Sequence, residues 1–311
     1  MSTRNEAMQG EIPSPVTLII NANSRRGRDA FREAQTALRN AGIILAEAVA
    51  VQSEEETARL IHREIAAGAN TVIVGGGDGT LSAAAAHLIH TDVAMGVLPL
   101  GTGNTFARSI GLPLNLEEAA QTIASGTVQS VDVGRVNDQI FLNSVAIGLT
   151  TEIAQALNKD IKKKLGLLAW PVVGIRVIAR HRALVLKVSS EEKSFAVRTH
   201  QLLIVNGRYV AGPIAAAPDA SVQDHAFDVF VLGGAHKGTL LRATWNWLTH
   251  RHLFSVENRY FTTKKLRVES TRRSVEANVD GDINDRTPLE LEILPAALRV
   301  VVPRGFDAKN V

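Results

Sequence analysis

A single carboxylate set among glycines is the strongest chemical signal in this chain. Val72-Ile73-Val74 leads into Gly75-Gly76-Gly77-Asp78-Gly79-Thr80, and an Ala-rich segment with helix propensity follows over 81–89. Glycine admits positive φ and lets another group come close to the backbone. A loop of this kind, between a strand end and a helix N-terminus, turns several N–H donors toward an anion, most often a phosphate. Asp78 would repel that phosphate unless it holds a metal ion or takes a proton. Donor-rich glycines and a carboxylate in one loop therefore point to phosphoryl transfer rather than to simple nucleotide storage.

A second loop repeats the pattern. Residues 93–100 read as a buried strand, Gly101-Thr102-Gly103-Asn104-Thr105 follows, and a short helix continues to 109. One Gly-rich loop is as readily an ordinary tight turn. Two in succession, each after a buried-type strand, would both lie at the carboxyl edge of an open parallel sheet, where ligands bind.

The elements that must hold these loops read as alternating strand and helix. Residues 16–20 are a continuous apolar strand, and Asn21-Ala22-Asn23-Ser24-Arg25-Arg26-Gly27 is a loop. Phe31, Ala34, Leu38 and Ala41 then recur at helical spacing, and Gly42 stops that helix. Residues 43–51 form a second strand. Ser53 and Glu56 make a capping box that opens a helix closing near Gly68. A βαβ series of this kind predicts a mostly parallel sheet with covering helices. Past Gly134 the grammar changes to short β-type runs at 139–142, 184–188, 201–205, 227–232, 265–268, 274–279 and 289–294. Turn signals such as Asn206-Gly207 and Asp280-Gly281 separate several of them, and helices are expected near 150–157 and 240–249. The division is an α/β domain over 1–133 and a β-rich domain over 134–294.

With 311 residues and 45% hydrophobic content, the chain can bury the cores of two domains. No apolar run approaches the ~18–20 residues that span a bilayer. The longest, 167–175, contains Pro171, and residues 1–15 lack the apolar core of a signal peptide. The chain has no cysteine, which excludes disulfides and Cys-based zinc or redox sites and fits a cytoplasmic protein. A pI near 9.3 rests on a net charge of only +3 and does not by itself indicate a nucleic-acid partner.

These motifs resemble, collinearly from Val16 to Pro303, the catalytic family of the diacylglycerol kinases, bacterial lipid kinases akin to sphingosine kinases and more distantly to NAD kinases and phosphofructokinases. Gly76-Gly77-Asp78-Gly79-Thr80 is shared with NAD kinases. Leu98-Pro99-Leu100-Gly101-Thr102-Gly103-Asn104 with Phe106-Ala107-Arg108, Asn206-Gly207-Arg208-Tyr209, and Ala217-Pro218-Asp219-Ala220 are closer to the lipid kinases. The resemblance implies a Rossmann-like nucleotide domain, a β-sandwich-type second domain, ATP in a cleft between them, and a last strand over 298–302 returning to the first domain with 295–311. It implies an ATP-dependent lipid kinase of phospholipid synthesis that uses Mg²⁺, with a diacylglycerol-like lipid as the default substrate.

The resemblance also assigns residues. The family's first phosphate loop, Asn-Pro-x-Ser-Gly, is matched here by Asn21 and Ser24 but not at Ala22 or Arg25. Arg25 and Arg26 could supply charge to the phosphates, or be a solvated pair. The second loop usually ends Gly-Asn-Asp, and Thr105 stands in place of that Asp. Nucleotide contacts thus fall on Asn21, Ser24, Gly75, Gly76, Gly77, Asp78, Gly79, Thr80, Gly101, Thr102, Gly103 and Asn104. The family's general base lies in an Asp-Gly-Glu triplet, which reads Asp280-Gly281-Asp282 here; the same dipeptide is also an ordinary hairpin turn. A structural magnesium site of some members maps onto Asp224 with the carbonyls of Ser221 and Ala226, and His225 replaces the usual Gly. There is no Walker A lysine, so phosphate binding must rest on backbone N–H groups, Mg²⁺ and arginine.

A lipid kinase must reach a bilayer. Residues 159–182 hold seven Lys or Arg and one acidic residue, Asp160, among Leu165, Leu167, Leu168, Trp170 and Val172. This pattern suits peripheral contact with an anionic membrane, and equally a solvated face over core residues. Trp245 and Trp247 fit core packing, and His236, His250 and His252 have no metal spacing. Two other readings stand beside the lipid kinase: a soluble-substrate kinase of the NAD kinase type, and a catalytically weak lipid- or nucleotide-binding protein. A homodimer is compatible with the sequence.

Overall fold

The computed structural model describes residues 15–22, 27–156, 169–217, 220–234 and 258–309. The chain divides into two units: Met1–Asn143 with Asn206–His225 and Leu294–Val311, and Ser144–Val205 with Ala226–Ile293.

The first unit is a doubly wound α/β fold. β1 (Val16–Asn21), β2 (Leu45–Val51), β3 (Thr71–Gly76) and β4 (Ala94–Pro99) pair in parallel in the order β2-β1-β3-β4. β1, β3 and β4 are apolar runs without polar alternation because both faces are covered. α1 (Gly27–Asn40) and α4 (Leu116–Ser125) pack Ala34, Leu38, Ala120 and Ile123 against Leu18, Ile20 and Ile73 on one face. α2 (Glu54–Ala66) and α3 (Asp78–Leu88) pack Ile61, Leu81, Ala85 and Leu88 against Ile19, Val72 and Val74 on the other. The capping box at α2 forms as expected, with one difference. Ser53 Oγ accepts from Glu56 N at 3.2 Å, but the Glu56 carboxylate reaches back to Gln52 N at 2.7 Å. The last strand, Leu289–Val302, ends in this unit, where Val300 pairs in parallel with Met95 of β4.

The boundary at 133–134 differs from the observed one. The first unit continues through the strand Thr127–Val136 to Asn143 and also takes back 206–225, which the sequence pattern places in the β-rich domain. Hydrogen bonds explain the return. The fully buried Asn206 donates from Nδ2 to the carbonyls of Asp132 and Leu142, both at 3.0 Å, and Val222 O accepts from Asp132 N at 2.7 Å. The Asn206-Gly207 turn signal is thus a side-chain anchor rather than a hairpin.

The second unit is antiparallel. Strand Ser194–Val205 pairs with Leu184–Ser190 through its first half, and through its second half with Ser144–Gly148 and Phe227–Gly233. Ser144–Gly148 also pairs with Glu276–Val279, which forms a hairpin with Asp282–Arg286. Helices Leu149–Ala156 and Ala169–Arg180 pack together through Ile153, Ala156, Val173 and Val177. The helix expected at 240–249, with Trp245 and Trp247, lies outside the described residues, as do His236, His250, His252 and Lys162–Lys164 of the basic segment. Among the described residues no helix is long and apolar enough to cross a membrane.

Candidate active site

The two Gly-rich loops meet backbone to backbone in the first unit. A Cβ on Gly101 would stand 2.5 Å from the Cα of Gly77. One on Gly76 would stand 2.5 Å from Cβ of Thr80, and one on Gly75 would stand 2.9 Å from Leu100 Cδ1 and 3.0 Å from Ile20 Cγ1. At Gly101 and Gly76 contacts this short leave no room for a side chain, so these two glycines are required by close approach rather than by turn conformation, whereas the neighbours of Gly75 are side-chain atoms that can yield. Leu100 N donates to Gly76 O at 3.0 Å and joins the loops directly.

Side chains complete the junction. Asn104 sits in the left-handed region at φ 49°; its Oδ1 accepts from Gly101 N at 2.8 Å and its Nδ2 donates to Gly101 O at 2.9 Å, closing the second loop. Asp78 Oδ1 accepts from Phe106 N at 3.0 Å, in the first turn of the short helix Thr105–Ser109. Asp78 thereby caps the helix after the second loop while starting the helix after the first. Its Oδ2 has no hydrogen-bond partner among the described residues. Asn21 Nδ2 donates to Thr80 Oγ1 at 3.0 Å, which brings the end of β1 to the same place. Gly79 and Thr102 lie exposed. Ser24, Arg25 and Arg26 lie outside the described residues.

The N-cap of α3 is Gly77, and among the described residues no side chain caps that helix. The first N–H groups of a helix have no partner within it, and the helix dipole adds positive potential there. Asn21, Gly75–Gly77, Asp78, Thr80 and Gly101–Asn104 thus come together around a donor-rich, uncapped helix start. Thr105, where the family pattern has Asp, is buried and accepts on Oγ1 from Gly212 N at 2.9 Å. It pins the short hairpin Tyr209–Ala211 and Ile214–Ala215 to the second loop.

Asp280 and Asp282 lie in the second unit. Asp280 (φ 49°) and Gly281 (φ 105°) are the two central residues of a hairpin turn. Two successive positive φ values match the right-handed twist of the flanking strands. The hairpin reading of this dipeptide is therefore realised. The Asp280 carboxylate also accepts from Ser144 N at 2.9 Å, while Asp280 N donates to Ser144 O at 3.0 Å. Asp282 is exposed at the start of the return strand.

The candidate metal loop is closed on itself. Asp224 Oδ2 accepts from Ser221 N at 2.9 Å. His225 N and Nδ1 both donate to the carboxylate of Asp132, at 2.7 and 2.8 Å. Ala226 opens the second unit. A cation needs oxygen lone pairs, and on this loop one oxygen of its single carboxylate, Asp224, already accepts from Ser221 N. The residues present do not fit a structural magnesium ion. Asp132 itself escapes the motif reading; its only signal is a charged residue between Val131 and Val133 in a strand of buried type.

Comparison with known proteins agrees with this architecture. Residues 15–136 match the family of diacylglycerol kinase catalytic domains. Residues 143–302 match the YegS C-terminal NAD kinase beta sandwich-like domain. The chain is 30% identical over 297 residues to the "Probable lipid kinase YegS-like" of Pseudomonas aeruginosa, covering 93% of this chain and 94% of that one. It is 29% identical over 236 residues to the diacylglycerol kinase of Bacillus subtilis, covering 75% and 78%. A solved diacylglycerol kinase structure from Bacillus anthracis superposes with a TM-score of 0.74 at 23% identity over 93% of this chain and 97% of that one, a likeness of fold.

Proposed function

The chain belongs to the family of diacylglycerol kinase catalytic domains, and from that membership we propose that it is an ATP-dependent lipid kinase. It transfers the γ-phosphate to a lipid hydroxyl, with a diacylglycerol-like lipid as the default acceptor. The observation that carries this reading is the meeting of the two Gly-rich loops at the uncapped start of α3. Backbone N–H groups there can bind phosphate oxygens without a P-loop lysine.

Phosphoryl transfer asks mainly for positioning and charge stabilisation. Asp78, with one oxygen on Phe106 N–H and the other without a hydrogen-bond partner among the described residues, can hold a Mg²⁺ that arrives with the nucleotide. That ion would neutralise charge on the β- and γ-phosphates. Asp280 is the residue assigned to accept the hydroxyl proton as the new P–O bond forms. The lipid acceptor also motivates a membrane-facing surface. The helix Ala169–Arg180 leaves Ile175 71% exposed beside Arg176 and Arg180, and it carries no acidic residue.

Incubation with labelled ATP, Mg²⁺ and a total membrane-lipid extract, followed by mass spectrometry, tests the proposal. A new lipid phosphomonoester is expected. Phosphorylation of NAD with none of the lipids would assign the soluble-substrate reading. Nucleotide binding without any turnover would assign the binding-protein reading.

A further inference from the structure

We propose that the 221–226 loop of this chain is held by an internal ligand, the imidazole of His225 on the buried carboxylate of Asp132, and takes no structural metal ion. Asp132 is 1% exposed and accepts three N–H donors: His225 N at 2.7 Å, His225 Nδ1 at 2.8 Å and Ala296 N at 2.8 Å. A carboxylate only accepts, so Nδ1 carries the proton in this contact.

The backbone is bent to make these bonds. His225 (φ 61°) and Ala296 (φ 50°) both adopt the left-handed conformation, and both turn their N–H groups onto Asp132. Side-chain-bearing residues avoid that conformation, so two of them converging on one carboxylate mark it as the organising centre. The same residue's backbone holds its neighbours, through Asp132 N to Val222 O and Asn206 Nδ2 to Asp132 O. Asp132 thereby joins the strand Thr127–Val136, the returning segment 206–225 and the last strand. A metal ion on this loop would have to displace the Ser221 N–H from Asp224, the loop's single carboxylate.

The test is the melting temperature of the full-length protein without nucleotide. Between excess EDTA and about 10 mM MgCl₂ the wild-type Tm is expected to move by less than ~1 °C. A site with a Kd near ~0.1 mM would raise it by about 5 °C or more. Such a rise, abolished by Asp224→Asn, overturns the proposal. A rise that Asp224→Asn retains arises elsewhere, and the loop is then metal-free as proposed. His225→Gly keeps the left-handed backbone and deletes the half-exposed imidazole donor; it is expected to lower Tm by about 1–4 °C in either buffer. His225→Asn tolerates positive φ and replaces Nδ1–H with an amide N–H, so it should restore at least half of that loss. A His225→Gly protein as stable as wild type, or one that magnesium restores, overturns the assignment.

Discussion

Gly101→Ala is the sharpest probe of the loop junction. The added methyl would stand 2.5 Å from the Cα of Gly77 and 2.9 Å from Asn104 Oδ1. Ordinary carbon contacts lie near 3.5 Å, so the loops must part by about 1 Å. The obstacle is backbone, and Leu100 N–H to Gly76 O ties it in place, so no side chain can swing away. Gly101 does not have positive φ, so the substitution adds crowding without backbone strain. Overpacking of this kind costs about 1–3 kcal/mol, or a Tm lower by roughly 2–10 °C. A displacement of about 1 Å at a reacting centre can cost ~10²-fold in rate. The assay pairs calorimetry with kcat/KM for ATP at fixed lipid. Gly42→Ala is the control: it imposes strain at φ 85° in open space, and should lower Tm by a few degrees while leaving kcat/KM intact. If Gly101→Ala retained more than half of wild-type kcat/KM at an unchanged Tm, the junction would not be where nucleotide binds.

Three further outcomes follow from the same geometry. Asp280→Asn keeps an oxygen for Ser144 N–H and a residue that tolerates φ 49°, so the fold should hold while kcat falls about 10²- to 10⁴-fold with ATP affinity nearly unchanged; wild-type kcat at saturating lipid would move the base elsewhere. Asp78→Asn likewise keeps the acceptor for Phe106 N–H, so Tm should change little while activity drops at least ~10-fold, about 1.4 kcal/mol of barrier, with weakened Mg·ATP binding; titration calorimetry with and without Mg²⁺ reads this directly. Binding to anionic vesicles should weaken as salt rises, each basic contact contributing about 1 kcal/mol at low salt, and Ile175→Asp should reduce it further; salt-insensitive binding, or none, rejects the membrane surface.

Local signals in the sequence determined most of the first unit. Continuous apolar strands, helical spacing up to Gly42 and the Ser53–Glu56 cap are readable because each depends on residues within one turn or one strand. The two Gly-rich loops are readable for the same reason: the chain declares a close approach by removing its side chains. What the glycines approach is not local. That Gly101 meets Gly77, and that Asp78 caps the helix behind the other loop, depends on two parallel strands lying side by side. Thr105 departs from the family pattern, and only the partner N–H of Gly212, far along the chain, gives it a role. Asn206-Gly207 has the composition of a turn, yet burial turns its amide into the anchor that carries 206–225 back to the first unit. Asp132 was silent in the sequence because a lone carboxylate in an apolar strand acquires meaning only from the donors that reach it. Those donors, His225 and Ala296, come from segments far from it in sequence, and only the tertiary structure brings them together.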